Sequence, residues 1–351
     1  MPKEIPENPF ASTPKPQNDL PRKNPQNPNV SIFSPVVTPL NAFGYSNAMA
    51  SETNCHTLTG LTRSILCKLV KYVTKDYIHH ASSAVSPEDQ IVLTLCRLRQ
   101  GTDFTLLGVA ASIDKGTVGK YFARWIDILF VKLKPLIRMQ DRKNIFKTLP
   151  HKFRERYPRL TSIIDCFEIF TETPGGPLAQ GQMYSNYKSH CTVKVLISCT
   201  PLGAISLISV AWGGRATDVA IVKSSQFHTD IYHQPGDQIL ADRGFILVDD
   251  FKLMSNSELI IPSFLCGKAQ LPDSEIASTR NIANIRIHIE RVISRLRNTY
   301  TILSTEFPIK MLKTQAEEKR GDIICCIDKI VNVCATLVNM QKSVIVKAPN
   351  P

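Results

Sequence analysis

The sequence lacks the marks of a secreted, membrane-spanning or zinc-binding protein. Its ten cysteines include no C-x-x-C pair, so no zinc knuckle can be drawn from them. Most sit inside apolar runs: Cys96, Cys166, Cys199, Cys325, Cys326 and Cys334. That pattern suits reduced, core-filling thiols and an intracellular address. No apolar run approaches the ~18 residues of a membrane helix, and the opening Met1-Pro2-Lys3-Glu4 is not followed by the apolar core of a signal peptide. The expected compartment is the nucleus, with some cytoplasm, and no membrane partner is expected. No internal repeat is visible.

Positive charge is plentiful. Forty-two Lys and Arg against thirty Asp and Glu leave +12 at neutral pH, with a pI near 9.2. A basic excess of that size favours a polyanion, and nucleic acid first. The length, 351 residues, allows roughly two domains of about 100–200 residues each.

Residues 1–50 are broken by Pro2, Pro6, Pro9, Pro14, Pro16, Pro21, Pro25 and Pro28 and show no periodicity, so they are expected to form a disordered arm. Its Lys15, Arg22 and Lys23 read as solvated linker charge. An all-α region is expected over 57–135. Leu58, Leu61, Ile65, Leu66, Leu69, Val70 and Val73 recur at helical spacing. Ser86-Pro87-Glu88-Asp89 is a helix start and Gly101 a stop. A short helix then follows Asp103 or Thr105, Ile113 to Gly116 turns, and Thr117 to Leu133 continues as a longer helix. Short helix, turn and longer helix outline a helix-turn-helix, with Lys115, Thr117, Lys120 and Arg124 where such a motif meets DNA. An ordinary helical hairpin would give the same outline.

Residues 136–159 form a basic connector, and after it the period changes. Leu160 to Phe170, Cys191 to Cys199, Ala204 to Trp212, Gln238 to Ala241 and Leu259 to Pro262 read as strands; Thr217-Asp218, Phe245 to Ser255 and Ile282 to Tyr300 read as helices, the last capped by Thr279 or Asn281. The order predicts an α/β fold, a mixed five-stranded sheet with flanking helices over 160–302. A C-terminal helix from about Thr314 to Met340 and a tail complete 303–351.

Asp165 follows the apolar run Leu160 to Ile164, and Asp242 ends the run Ile239-Leu240-Ala241 before Arg243-Gly244. Glu290 sits on the long helix at the edge of the stripe Ile285, Ile289, Val292 and Leu296, and could equally be an ion pair with Arg286. Acids at two strand ends and on a covering helix suggest a carboxylate cluster. Like charges that close repel, and Mg²⁺ or Mn²⁺ removes the conflict. Asp218, after Gly213-Gly214-Arg215, is a fourth candidate, although helix capping explains it as well. Glu168, three residues past Asp165, belongs to the opposite face, and His288 reads as structural. Arg243 is a candidate phosphate contact or ion pair. Tyr187, Lys188, Lys194 and Lys223 are candidate DNA-backbone contacts.

Taken together, Ile164-Asp165-Cys166-Phe167-Glu168, Tyr187-Lys188, Pro201-Leu202-Gly203, Ala241-Asp242-Arg243-Gly244-Phe245, Ile261-Pro262-Ser263-Phe264, Thr279-Arg280 and Arg286 to Arg291 resemble the DDE superfamily endonuclease domain of PIF/Harbinger-type and IS5-related transposases. The resemblance covers about 160–302, and residues 86–135 resemble the helix-turn-helix that precedes it in relatives. It implies an RNase H-like fold and a triad, Asp165, Asp242 and Glu290, with a divalent metal, Mg²⁺ or Mn²⁺. The implied partners are DNA, an accessory DNA-binding protein and a second copy of the chain. The implied activity is metal-dependent cutting of DNA phosphodiester bonds. Many relatives carry an N-terminal zinc-binding THAP domain, for which Cys55 and His56 alone supply no ligand set. Some relatives are domesticated, so the alternative is a non-catalytic DNA-binding or adaptor protein on the same fold.

Overall fold

The structure, a computed structural model, describes residues 42–78, 83–262, 287–312 and 324–342, the side chain of Lys152 excepted. Residues 1–41, the expected caps Thr279 and Asn281, Arg286, and the expected start of the last helix lie outside them.

The first helix, α1 (Tyr45–Ala50), falls inside the segment expected to be a disordered arm, and its Ala48 is fully buried. The reason is tertiary: the Tyr45 amide donates to Asp89 on a later helix at 2.7 Å, and the side chain of Ala48 joins the main core. The helix expected from Leu58 through Val73 is two, α2 (Glu52–Thr59) and α3 (Arg63–Thr74). Gly60 ends the first in the left-handed region at φ 72°, and the Thr62 hydroxyl caps the second. α4 (Pro87–Gln100) starts on Ser86, whose side chain accepts from the Asp89 amide, and stops at left-handed Gly101. α5 (Phe104–Ala111) is capped by Asp103, which accepts from the amides of Thr105 and Leu106.

α6 (Lys115–Leu133) begins two residues earlier than expected because Asp114 caps it. The α5–α6 elbow is tight. A Cβ on Gly108 would come within 2.6 Å of the Ile113 carbonyl, so only glycine permits this approach. Trp125, fully buried, fixes α6 against α4 through a 3.0 Å bond from its Nε1 to Gln90.

The basic connector is itself helical, with α7 (Arg142–Thr148) capped by Asp141 and α8 (His151–Arg154). The chain then enters β1 (Leu160–Phe170). It continues through α9 (Pro177–Met183), β2 (Tyr184–Ser185), β3 (His190–Cys199), β4 (Ile205–Ile208), β5 (Trp212–Gly213), α10 (Asp218–Ser224), β6 (Gln238–Leu240), α11 (Val248–Ser255) and β7 (Glu258–Ile260). Helix α12 is seen over 287–299, and α13 (Cys326–Asn339) closes the fold.

The sheet order is β2-β3-β1-β6-β7, with β4 and β5 also pairing β3. β1 and β3 are antiparallel; β1, β6 and β7 are parallel. Among the described residues there are seven strands where five were expected. The single strand expected over Ala204 to Trp212 is split. At the break the Ser209 hydroxyl accepts from the Leu196 amide and the Ala211 amide turns to Asp328 on α13. Those bonds take ladder partners away, and β5 resumes further along β3.

Two apolar clusters sandwich the sheet. Leu160, Ile163, Phe167 and Ile169 of β1 join one with α4, α6, α12 and α13. Ile164 of β1, with Ile239 and Ala241, joins the other under α10 and α11. The first cluster runs unbroken from α1 to α13. The helical region and the sheet therefore share a core, an arrangement closer than a boundary near residue 136 suggests. Arg99 donates to the carbonyls of Asn298 and Thr299 at 2.7 and 2.6 Å, and Lys329 pairs with Asp127 at 2.7 Å, across the same seam.

Candidate functional site

Both aspartates follow the paired stretch of β1 and β6. In the parallel β1–β6 pair, Ile163 stands opposite Leu240. Asp165 lies two residues beyond Ile163 in β1, and Asp242 two residues beyond Leu240, where β6 has ended. Side chains alternate between the two faces of a strand, so Asp165 shares the face of Ile163 and Phe167, toward the cluster that α12 covers. Asp165 is not at the end of its strand, as the apolar run suggested, because β1 continues to Phe170 against β3. It stands where β6 stops.

Both carboxylates are held the same way. The Cys166 amide donates to Asp165 Oδ1 at 2.8 Å, and the Arg243 amide donates to Asp242 Oδ1 at 2.7 Å. Each is half-buried. A bond to the next residue's amide fixes the rotamer and aims a hard oxygen donor at the sheet end.

Glu290 is exposed on α12, one residue past fully buried Ile289. Its place along the helix is set by Arg297, seven residues on and so on nearly the same stripe. Arg297 donates to the Glu168 carbonyl and lies 5.6 Å from the Phe167 ring centroid. Seven residues are about 10.5 Å of helix, or roughly three residues of strand at 3.3 Å each. Glu290 thus lies about one such length before Arg297, on a helix that runs in the same sense as β1. His288 packs edge-on against Phe153 before β1 at 5.0 Å, and Phe307 donates to the Phe170 carbonyl at its far end. Among the described residues, no three His, Cys, Asp or Glu side chains are gathered as a metal-binding group.

Asp218 opens α10, with Thr217 as the cap, and its Oδ1 pairs with Lys194 Nζ at 3.3 Å. A Cβ on Gly244 would lie 3.2 Å from its other oxygen, which places Asp218 against the Asp242-Arg243-Gly244 turn. Cys166 bridges this acid to the first one. Burial, then the negative charge of Asp218 and Asp165, push its thiol far up, and the thiol is a hydrogen-bond partner of Asp218. Cys166 therefore stays protonated.

Several sequence expectations shift. Lys194 is mostly buried and spends its charge on Asp218 and the Ala216 carbonyl, so it is not an open cation for DNA, whereas Lys223 is exposed and pairs with Asp250 at 2.8 Å. Glu168 is structural, as its face predicts, accepting from Thr192 Oγ1 at 2.7 Å. Arg243 is half-buried. In the helix-turn-helix outline Lys115 and Lys120 are exposed, but Thr117 and Arg124 are half-buried, and Arg124 donates to the Tyr77 hydroxyl at 3.2 Å. Sequence reasoning missed Cys166 and Arg297. Cys166 gave no signal beyond its place after Asp165, and Arg297 gave no signal beyond its positive charge on the long helix.

Known proteins bear on this geometry. Residues 83–135 match the helix-turn-helix of DDE superfamily endonuclease. The human protein named "Putative nuclease HARBI1" is 22% identical over 256 residues, covering 70% of this chain and 67% of its own. The rat protein of the same name is 26% identical over 173 residues, 47% of this chain and 48% of its own. The mouse protein is 23% identical over 256 residues, 70% and 67%. No solved structure matches the chain significantly. Residues 164–339 match the DDE superfamily endonuclease, a span that holds Asp165, Asp242, Glu290 and the whole of α13, and the chain belongs to that family.

Proposed function

We propose that this chain is a divalent-metal-dependent DNA endonuclease of the transposase type, with Asp165 and Asp242 as its principal metal ligands and Glu290 as the third acid. The observation that supports the reading is the pairing of Ile163 with Leu240, each two residues before one of the aspartates. Their chemistry fits Mg²⁺ or Mn²⁺. Such an ion takes oxygen donors and is commonly bound by one or two carboxylates, the remaining positions going to water and substrate phosphate. When bound, the ion supplies Lewis acidity that activates water and steadies the leaving oxygen.

The protein's own residues then have separate tasks. Asp165 and Asp242, locked by the amides of Cys166 and Arg243, present fixed oxygens. Lys194 neutralises Asp218, so that acid adds little repulsion to the pair. Cys166, held protonated, adds none. Lys115 and Lys120 at the start of α6 meet phosphates of the bound duplex, and the +12 net charge draws it in. The partners of this reading are DNA, an accessory DNA-binding protein and a second copy of the chain, and its compartment is the nucleus. The test is Mg²⁺- or Mn²⁺-dependent nicking of DNA, present in the wild type and lost in Asp165→Ala.

A second reading has one observation in its favour: Glu290 is exposed and no three-ligand group is gathered among the described residues. On it the chain binds DNA through the helix-turn-helix and no longer cuts. Metal-independent DNA binding together with absent nicking is its signature.

A further inference from the structure

Beside the acids lies a feature that metal ligation does not use. β2 and β3 form a short hairpin, pairing Tyr184 with Cys191 and Ser185 with His190, so residues 186–189 make its tip. The tip is held in shape. The Lys188 amide donates to Ser185 Oγ at 3.3 Å, Ser185 is 2% exposed, and Ser189 adopts the left-handed region at φ 51°. On this rigid tip Tyr187 is 82% exposed, with Lys188 Nζ 4.5 Å from its ring centroid. Next to it opens a cleft of about 450 Å³ lined by Gln180, Tyr184, Asn186 and Arg215 together with Pro177 and Gly181.

The composition of this place is specific. It offers two tyrosine rings, two cations and two side-chain amides, and its lining holds no acid. Aromatic faces stack bases of any sequence, amides meet base edges, and Arg and Lys meet phosphate. A cleft of that size suits one nucleotide, within the ~300–1,000 Å³ of small-ligand sites.

Its position is also fixed. Gly214 donates to the Thr192 carbonyl and Arg215 to the Gln182 carbonyl, at 2.9 and 3.2 Å, tying the cleft wall to β3 and α9. A Cβ on Gly214 would lie 2.1 Å from Thr192 Oγ1 and 2.8 Å from the Met183 carbonyl, so the wall closes only with glycine there. Arg215 is three residues before Asp218, and three residues span at most roughly 11 Å. Asp218 in turn rests against the turn that carries Asp242.

We propose that the hairpin tip and this cleft hold an unpaired nucleotide of the DNA strand next to the phosphate being cut. Its base stacks on Tyr187, and its phosphate lies between Lys188 and Arg215. This rests on the endonuclease reading for its biological meaning, but the binding itself is measurable without cutting.

The experiment uses the full chain carrying Asp242→Ala, so that no probe is consumed, and fluorescence anisotropy at one fixed salt concentration. The probes are a blunt duplex and the same duplex with a short unpaired 3′ tail. The parent is expected to bind the tailed duplex more tightly. Tyr187→Ala lowers that preference by about 5- to 100-fold, the worth of one base stacked on an aromatic ring, Arg215→Ala also weakens it, and both keep the affinity for blunt duplex. Tyr187→Phe retains the preference, and equal melting temperatures show that the variants fold. A parent that binds both probes alike, or a Tyr187→Ala variant that still prefers the tail, overturns the proposal. Loss of nicking alone does not touch it, and a chain that never cuts yet shows the Tyr187-dependent preference separates this site from the endonuclease reading.

Discussion

Ile163 and Leu240 face each other across the parallel β1–β6 pair. Asp165 and Asp242 each lie two residues beyond that pair, and in the proposed site they share one ion. Two carboxylates on neighbouring strands repel in the absence of a cation. A bound ion should therefore show itself as stability. Mn²⁺ at about 100 times its dissociation constant is expected to add about 2.7 kcal/mol, a rise of several degrees in melting temperature by calorimetry. Asp165→Ala and Asp242→Ala should each remove most of the rise while leaving the metal-free protein at least as stable as the wild type.

α6, the longer helix of the helix-turn-helix, divides its basic residues unequally. Lys115 and Lys120 are exposed, whereas Arg124 is turned to Tyr77. Removing one cation that meets a phosphate lowers the slope of log affinity against log salt by about 0.9. Lys115→Ala with Lys120→Ala should lower it by nearly two. Arg124→Ala should leave it almost unchanged and instead lower the melting temperature. A salt titration of duplex binding decides this.

The basic connector is anchored by a buried ion pair. Arg142 of α7 donates through Nη2 and Nε to Asp237 Oδ2, at 2.7 and 3.1 Å, and Asp237 is fully buried just before β6. Removing one partner leaves a buried charge, at a cost of about 3–5 kcal/mol. Asp237→Ala should lower the urea midpoint accordingly. Replacing both, Arg142→Met with Asp237→Leu, should lose much less.

Next to that pair, His233 is 2% exposed and lies edge-on to Phe227 at 4.6 Å. Burial pulls its pKa down to about 4, helped by Arg142 and His228 and opposed by Asp237. The folded value lies below the unfolded one near 6.5, so the unfolded chain takes up the proton first. Stability is therefore complete above about pH 6.5 and falls as pH drops toward 4, by roughly 3 kcal/mol in all. Urea unfolding at stepped pH should show that slope, and His233→Phe should flatten it.

Much of this fold was legible where local chemistry decides it. Ser86-Pro87, Asp103 and Gly101 mark helix ends by capping alone, and the β-branched runs of β1 and β3 have no other reading. The same local signal at Gly60-Leu61-Thr62 was overridden by apolar spacing that ran through it, although Gly60 and Thr62 are the cap residues of two helices. What tertiary contacts decide stayed hidden. α1 forms because Asp89 and the core receive it, and the break at Ser209 exists because Asp328 of α13 takes the Ala211 amide. The candidate site divides likewise. Asp165 and Asp242 stand out as acids in apolar strands, whereas the place of Glu290 depends on how α12 lies along β1, through Arg297 and the Glu168 carbonyl.

The most direct measurement is nicking of supercoiled DNA in Mg²⁺ or Mn²⁺ by the wild type, Asp165→Ala and Asp242→Ala, each shown to be folded. The account predicts metal-dependent conversion to nicked circle by the wild type and a loss of at least about 100-fold with either substitution, the scale on which electrostatic transition-state stabilisation acts. Equal nicking by all three, or none by the wild type across both metals and many substrates, contradicts it.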